Sequence, residues 1–338
     1  MNYLNCDIPF ETESGENISD LKIAYHTYGT LNKEKNNVVW VCHALTSNSA
    51  VTEWWPGLVG ENCVINPDKY FIVCANIIGS CYGSTGPTST NPATGKPYFS
   101  TFPAVTIRDM VKAHIILRQH LGVEKIHLLM AGSMGGYQAL EWCAMESDKI
   151  ENLFLITTSA AESAWGIAVH TAQRLAIEAD SSWQDETFEA GKAGLKAARA
   201  IGLLTYRNYK ILVERQTDPD AEKTDNFKAS SYIIYQGDKL VKRFNAQSYW
   251  LLTKAMDSHN LARGRNKTQE EVLQSLEQRA LIMGITSDLL CPVDEQKHIA
   301  DNMPNATYIE IDSSYGHDGF LIEAGKISMH LGKWLSEG

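Results

Sequence analysis

Short apolar runs and trains of apolar residues at helical spacing alternate through the first half of the chain. Residues 21–28 alternate apolar and polar side chains up to Gly29, which predicts a strand at an antiparallel edge. Residues 38–42 are apolar throughout and stop at His43-Ala44-Leu45-Thr46, the pattern of a strand buried on both faces that runs into a functional loop. Trp54-Trp55-Pro56-Gly57 lies in the loop that follows, and residues 70–75 form another buried run. From Asn76 to Pro103 Gly, Pro, Ser, Thr and Asn crowd together without helical period. So long an irregular stretch is expected to be an ordered loop packed near a site. Residues 107–121 carry a helical period, and residues 126–130 and 152–157 are two more buried strands. Strand, helix and strand in this order imply right-handed crossovers and a mainly parallel sheet with helices on both faces.

The texture changes after Ser159. Up to about Gln278 hardly a strand-like run remains, and Ala, Lys, Glu, Gln and Arg recur at helical spacing, most clearly over 165–177, 190–201, 244–256 and 270–281. Strands resume at 281–285 and 306–311, and a last helix is expected over 321–335. The chain therefore divides into an α/β core of residues 1–158 and 279–338, interrupted by a helical insertion at 159–278.

Bulk composition narrows the function. With 338 residues there is ample chain for a full core, and a net charge of −10 argues against nucleic acid or an anionic membrane as partner. The seven cysteines are scattered, with no Cys-x-x-Cys pair and no metal-type spacing, so reduced thiols of a cytoplasmic protein and no metal site are expected. The first twenty residues are polar and acidic, unlike a signal region, and no apolar run approaches membrane-spanning length. Gly95-Lys96 is followed by Pro97 instead of Ser or Thr, which removes a phosphate-loop reading.

The most informative stretch is Ile126 to Leu140, where a strand runs into Ala131-Gly132-Ser133-Met134-Gly135-Gly136 and a helix begins at once. A nucleophile elbow needs this arrangement, because the turn is so sharp that small residues must flank the serine. A plain Ser-Gly loop at a strand–helix junction would look similar, and Ala131 stands where the usual Gly-x-Ser-x-Gly spelling has glycine. A serine needs a base, and the base needs an orienting acid; on this architecture the order is serine, acid, histidine. Strand 281–285 ends in Thr286-Ser287-Asp288, and strand 306–311 leads to Gly316-His317-Asp318. Asp288 could instead cap a helix, and Asp294, Asp312 and Asp318 are rival acids. Ser133, Asp288 and His317 nonetheless fall in the expected order, each after a strand. For the oxyanion, the Met134 N–H supplies one expected donor and the Leu45 N–H, in the loop after an earlier strand, the other.

Taken together, the segments go further. Tyr25-His26-Thr27-Tyr28-Gly29-Thr30-Leu31-Asn32, His43-Ala44-Leu45-Thr46, Trp54-Trp55, Asp68-Lys69-Tyr70-Phe71 and Cys81-Tyr82-Gly83-Ser84-Thr85-Gly86-Pro87 come first. Asn91-Pro92, Thr94-Gly95-Lys96-Pro97-Tyr98, Phe102-Pro103, Thr106-Ile107-Arg108-Asp109-Met110, the elbow with Gln138-Ala139-Leu140-Glu141-Trp142, Ile285-Thr286-Ser287-Asp288 and Gly316-His317-Asp318 complete the set. With these the chain resembles, from end to end, the homoserine O-acetyltransferase family of the α/β-hydrolase fold. The resemblance implies a helical lid at 159–278, which in the family also forms a homodimer interface. It implies Ser133 as nucleophile, Asp288 as acid and His317 as base, with Asp318 engaging the homoserine amine. Arg199, in Gly194-Leu195-Lys196-Ala197-Ala198-Arg199, is implied as the group that binds the homoserine carboxylate. The implied reaction is ping-pong transfer of an acetyl group from acetyl-CoA, a co-substrate and not a resident cofactor, to L-homoserine, feeding methionine synthesis. An ester hydrolase on the same triad, a relative using succinyl-CoA or L-serine, and a non-catalytic binding protein remain as other readings. Ala131 and Ser80, where the family commonly has glycine, depart from the pattern.

Overall fold

The computed structural model describes residues 1–337. Its frame is an eight-stranded sheet built from β1 (Asn2–Asn5), β4 (Lys22–Tyr28), β5 (Val38–Cys42), β6 (Phe71–Ala75), β7 (Ile126–Gly132), β8 (Ile150–Ile156), β9 (Arg279–Ile285) and β10 (Ala306–Ile311). A two-stranded hairpin of β2 (Phe10–Glu11) and β3 (Asn17–Ile18) stands apart. Across the sheet the order is β1-β4-β6-β5-β7-β8-β9-β10, parallel from β6 to β10 and antiparallel at β1–β4 and β4–β6. The 21–28 strand is thus one place in from the edge expected for it. The edge itself is β1, whose four residues are mostly exposed and polar and so carry no apolar alternation to read.

Side chains of β5 alternate between the two faces, as the strand period of two requires. Val38, Trp40 and Cys42 join one core, and Val39 and Val41 join the other. The first core also takes in α2 (Ile107–His120) and α3 (Met134–Met145); the second is closed by Trp55, next to the single turn α1 (Val51–Trp54), and by α12 (Ala324–Ser336). Helix α2 starts on a capping box, with Thr106 accepting from the Asp109 N–H and the Asp109 carboxylate accepting from the Thr106 N–H.

Between β8 and β9 lie six helices: α4 (Ala164–Glu178), α5 (Lys192–Tyr206), α6 (Tyr209–Gln216), α7 (Lys228–Val241), α8 (Ala246–Asp257) and α9 (Gln269–Gln274). The helix expected over 270–281 is cut short. It ends at Gln274, and the last three residues of the expected range belong to β9, whose Ala280 and Leu281 pair with Leu153 and Phe154 of β8. After α10 (Val293–Asn302), the expected last helix is two pieces, α11 (Gly319–Ile322) and α12, broken at Glu323. No helix among the described residues is long and apolar enough to cross a membrane.

Candidate active site

Ser133 closes β7 with φ 56° and ψ −133°, a backbone conformation that costs a residue with a Cβ about 1–3 kcal/mol. The surroundings hold it there. Its N–H donates to the Ile156 carbonyl (3.1 Å), and its own carbonyl accepts from the Thr158 hydroxyl (2.9 Å) and the Gly136 N–H (2.8 Å). The two glycines after it are sterically required: a Cβ on Gly135 would lie 2.2 Å from the Cys42 carbonyl oxygen, and one on Gly136 would lie 2.2 Å from Thr158 Oγ1. Ala131 is different. It belongs to β7, paired with Cys42 and Leu155, and its methyl is fully buried in the core, outside the turn.

The three side chains expected to act together are brought together. His317 Nε2 lies 2.8 Å from Ser133 Oγ, and His317 Nδ1 lies 2.7 Å from Asp288 Oδ2. The second carboxylate oxygen, Asp288 Oδ1, accepts from the N–H groups of Leu290 (2.8 Å) and Cys291 (3.0 Å). Asp288 therefore cannot turn without losing two backbone bonds. All three residues are buried, with Ser133 the most open at 8 %. Burial alone would lower the His317 pKa, but the Asp288 carboxylate, through its charge and hydrogen bond, outweighs burial and the net direction is upward. Asp318 and Glu162 push the same way. Asp294, Asp312 and Asp318, the rival acids, make no hydrogen bond to this histidine.

The loop after β5 lies across from the serine. Ala44, Leu45, Thr46 and Ser133 line one cavity of about 500 Å³, together with His170, Arg199, Tyr206, His317 and Asp318. Met134 is the first residue of α3, so its N–H has no partner within the helix. Among the described residues neither the Leu45 nor the Met134 N–H is taken by a backbone acceptor outside helices and strands.

Helix α5 brings Arg199 to this cavity, with its guanidinium 5.2 Å from the Tyr206 ring centre. Tyr206 lies seven residues on, two turns along the same helical face. Its ring in turn lies 5.9 Å from that of His317. Asp318 also lines the cavity, but one of its oxygens is already paired with Arg207 Nη1 at 2.7 Å. Asp318 Oδ1 has no hydrogen bond among the described residues. Arg207 was not singled out from the sequence, and its signal is weak: it only follows Tyr206. The segment Tyr206–Asn208 touches the histidine loop directly, since a Cβ on Gly316 (φ 67°) would meet the Tyr206 carbonyl oxygen and the Asn208 nitrogen at 2.9 Å. Two basic groups, Lys239 and Arg243, complete the wall, and Arg243 also donates to the Thr46 carbonyl.

A buried charged row ties this wall to the elbow helix. Tyr137 of α3 donates to Glu162 (3.0 Å), and Glu162 lies 3.9 Å from His170 of α4. His170 bonds Asp257 of α8 (2.9 Å), which also pairs with Arg174 (2.5 Å). The helical spacing of charged residues over 159–278 carries no signal of this row.

Sequence and fold have counterparts among known proteins. A family model described as alpha/beta hydrolase fold matches residues 37–324. The chain is 48% identical to a homoserine O-acetyltransferase of Cyclobacterium marinum over 332 residues, covering 98% of this chain and 94% of that protein. It superposes on the crystal structure of a homoserine O-acetyltransferase from Bacillus anthracis with a TM-score of 0.91 at 24% identity, covering 99% of this chain and 96% of that one. A mutant esterase is similar to the same degree in shape, with a TM-score of 0.90 at 21% identity and coverage of 99% and 98%. At these identities the two structural likenesses speak for the fold alone.

Proposed function

Because this chain belongs to the homoserine O-acetyltransferase family of the α/β-hydrolase fold, we propose that it moves an acetyl group from acetyl-CoA to the hydroxyl of L-homoserine through an acyl-Ser133 intermediate. One observation carries the reading: the Ser133–His317–Asp288 hydrogen-bond chain opens on the same cavity as Arg199, which makes no ion pair among the described residues, and the Asp318 carboxylate. His317 takes the Ser133 proton as Oγ attacks the thioester carbonyl. The Leu45 and Met134 N–H groups hold the oxyanion, each worth about 3–4 kcal/mol in the transition state. CoA leaves as the thiol, taking the proton back from His317. The homoserine hydroxyl then gives its proton to His317 and attacks the acyl carbon; Ser133 Oγ leaves and takes that proton back from His317. The Arg199 fork suits the acceptor's carboxylate, and Asp318 Oδ1 suits its ammonium. Transfer in place of hydrolysis asks that water be kept out, and the 159–278 segment serves as the lid that does so. Lys239 and Arg243 are the basic groups available for a CoA phosphate.

The lid helices expose the large apolar side chains Trp165, Leu175, Leu204, Tyr209, Ile234 and Tyr235. We read this as the face that meets a second copy; sedimentation as a monomer at micromolar concentration would exclude it. Seven free thiols accord with a reducing, cytoplasmic setting.

The deciding assay follows free CoA thiol from acetyl-CoA and from succinyl-CoA, with L-homoserine, L-serine or neither. Thiol release from acetyl-CoA that requires homoserine is expected. Release indifferent to any acceptor, beside rapid hydrolysis of an aryl acetate, would make the protein an esterase. In the same assay Arg199→Ala should raise KM for homoserine by about tenfold or more and leave aryl acetate hydrolysis near its original rate. An unchanged homoserine KM would remove Arg199 from acceptor binding.

The pH dependence has a definite sign. His317 acts as a base only when neutral, and its pKa is raised in the folded protein despite burial, because Asp288 favours the charged ring. Activity should therefore rise with pH along an acid limb centred above the ordinary histidine value of about 6.5. A limb centred below that value in kcat/KM would contradict the proposed role of the Asp288–His317 pair.

A further inference from the structure

His43 is the last residue before the oxyanion loop, is fully buried, and takes no part in the steps above. Its ring has two hydrogen bonds that together fix its proton. The Ile77 N–H donates to Nε2 at 3.2 Å, and a backbone N–H can only donate, so Nε2 carries no hydrogen. The proton is then on Nδ1, which lies 2.8 Å from the Ala44 carbonyl oxygen and donates to it. Burial, helped by nearby His114 and opposed by the Ala44 bond, holds the His43 pKa down to about 4, so the ring stays neutral at working pH.

The Ala44–Leu45 peptide is planar and trans, so its C=O and N–H point in opposite directions. Whatever holds the Ala44 carbonyl also aims the Leu45 N–H. Two donors hold it on the buried side: His43 Nδ1 and the Ser47 N–H at 3.0 Å. The peptide before it is held as well. Gln138 Nε2 bridges the His43 carbonyl and the Met134 carbonyl, each at 3.3 Å, while Gln138 Oε1 is bonded by His114 at 3.0 Å. Gln138 thus spans the segment before Leu45 and the helix turn that begins with Met134. Gly135 lets the two approach, since any Cβ there would strike the Cys42 carbonyl.

We infer that His43 is a positioning residue of the oxyanion hole: by donating from Nδ1 to the Ala44 carbonyl it turns the Leu45 N–H into the cavity, toward the oxygen that becomes negative at Ser133. The inference rests on the reading of Leu45 as an oxyanion donor. It concerns any acyl group that reaches Ser133, whatever the acceptor.

Two substitutions separate the ring's two hydrogen bonds. In His43→Asn the amide nitrogen falls where Nδ1 was and can still donate to Ala44, while the bond from Ile77 is lost. In His43→Gln the amide oxygen falls where Nε2 was and can still accept from Ile77, while the donor to Ala44 is lost. Each variant gives up one bond, so a merely structural role predicts similar losses for both. The readout is acylation of Ser133 by p-nitrophenyl acetate, followed as the burst of nitrophenol and related to folded protein by thermal unfolding. Expected is a fall of about tenfold or more in the acylation rate of His43→Gln with little change in KM, and a rate within about threefold of the original for His43→Asn. Equal losses in the two, or losses in KM alone, would overturn the inference. Should either variant fail to fold, nitrogen NMR of His43 in the unaltered protein decides: a proton on Nδ1 is expected, and a proton on Nε2 would overturn it. Failure of the transferase reading looks different, since it appears as acceptor-independent thiol release in the unaltered protein while the contrast between the two variants stands.

Discussion

Ser133→Ala should abolish both acyl transfer to homoserine and aryl acetate hydrolysis, lowering kcat by about four to six orders of magnitude. The protein should fold at least as well as before. The serine backbone holds φ 56° because Ile156, Thr158 and Gly136 bind its peptide groups, and alanine keeps all of those bonds. What is lost is the single atom 2.8 Å from His317 Nε2. Rates measured by single-turnover acylation, with isotopically labelled acetyl donor, would show no protein-bound acetyl. A variant that still acquires one acetyl group per chain would remove Ser133 as nucleophile and with it the ping-pong scheme.

Asp288→Asn should cost nearly as much, for a reason legible in its two oxygens. Oδ1 accepts from the Leu290 and Cys291 N–H groups, so in the variant the amide oxygen must take that place and the NH2 group must face His317. A donor facing Nδ1 drives the histidine proton to Nε2, the atom that should receive the proton of Ser133. The expected fall in kcat near neutral pH is about 10⁴, with the backbone bonds and the thermal stability largely kept. Steady-state kinetics beside a melting curve is the check. A fall of less than about tenfold would mean that the carboxylate does not set the histidine tautomer.

Much of this candidate site could be read from the residues alone, because its parts follow strands. Val38–Cys42 is apolar throughout, Ile126–Gly132 and Arg279–Ile285 are interrupted only by His127 and Arg279, and each leads to the segment that carries Leu45, Ser133 or Asp288. A chemically necessary order then tied the loops together before any distance was known. The 159–278 segment was legible as helical but not in its contacts. Helices α6 and α7 were not picked out, and Arg207 gains significance only from Asp318, far along the chain and 2.7 Å away. The row from Tyr137 to Arg174 is of the same kind, since charged residues in a helical stretch read as solvated until packing buries them. Ala131 is the converse case. It departs from the usual glycine of the elbow spelling, and it lies inside β7, where a small apolar side chain joins the core.

His317 reaches Ser133 across 184 residues of sequence, and Asp288 also lies beyond the lid. During synthesis, then, the elbow and its strand emerge first and the helices of the lid next; the acid and the base come last. Until the last loop packs against Tyr206–Asn208, Ser133 Oγ lacks its histidine partner. The chemistry proposed for Ser133 is thus completed only after the helices proposed to cover it have been made.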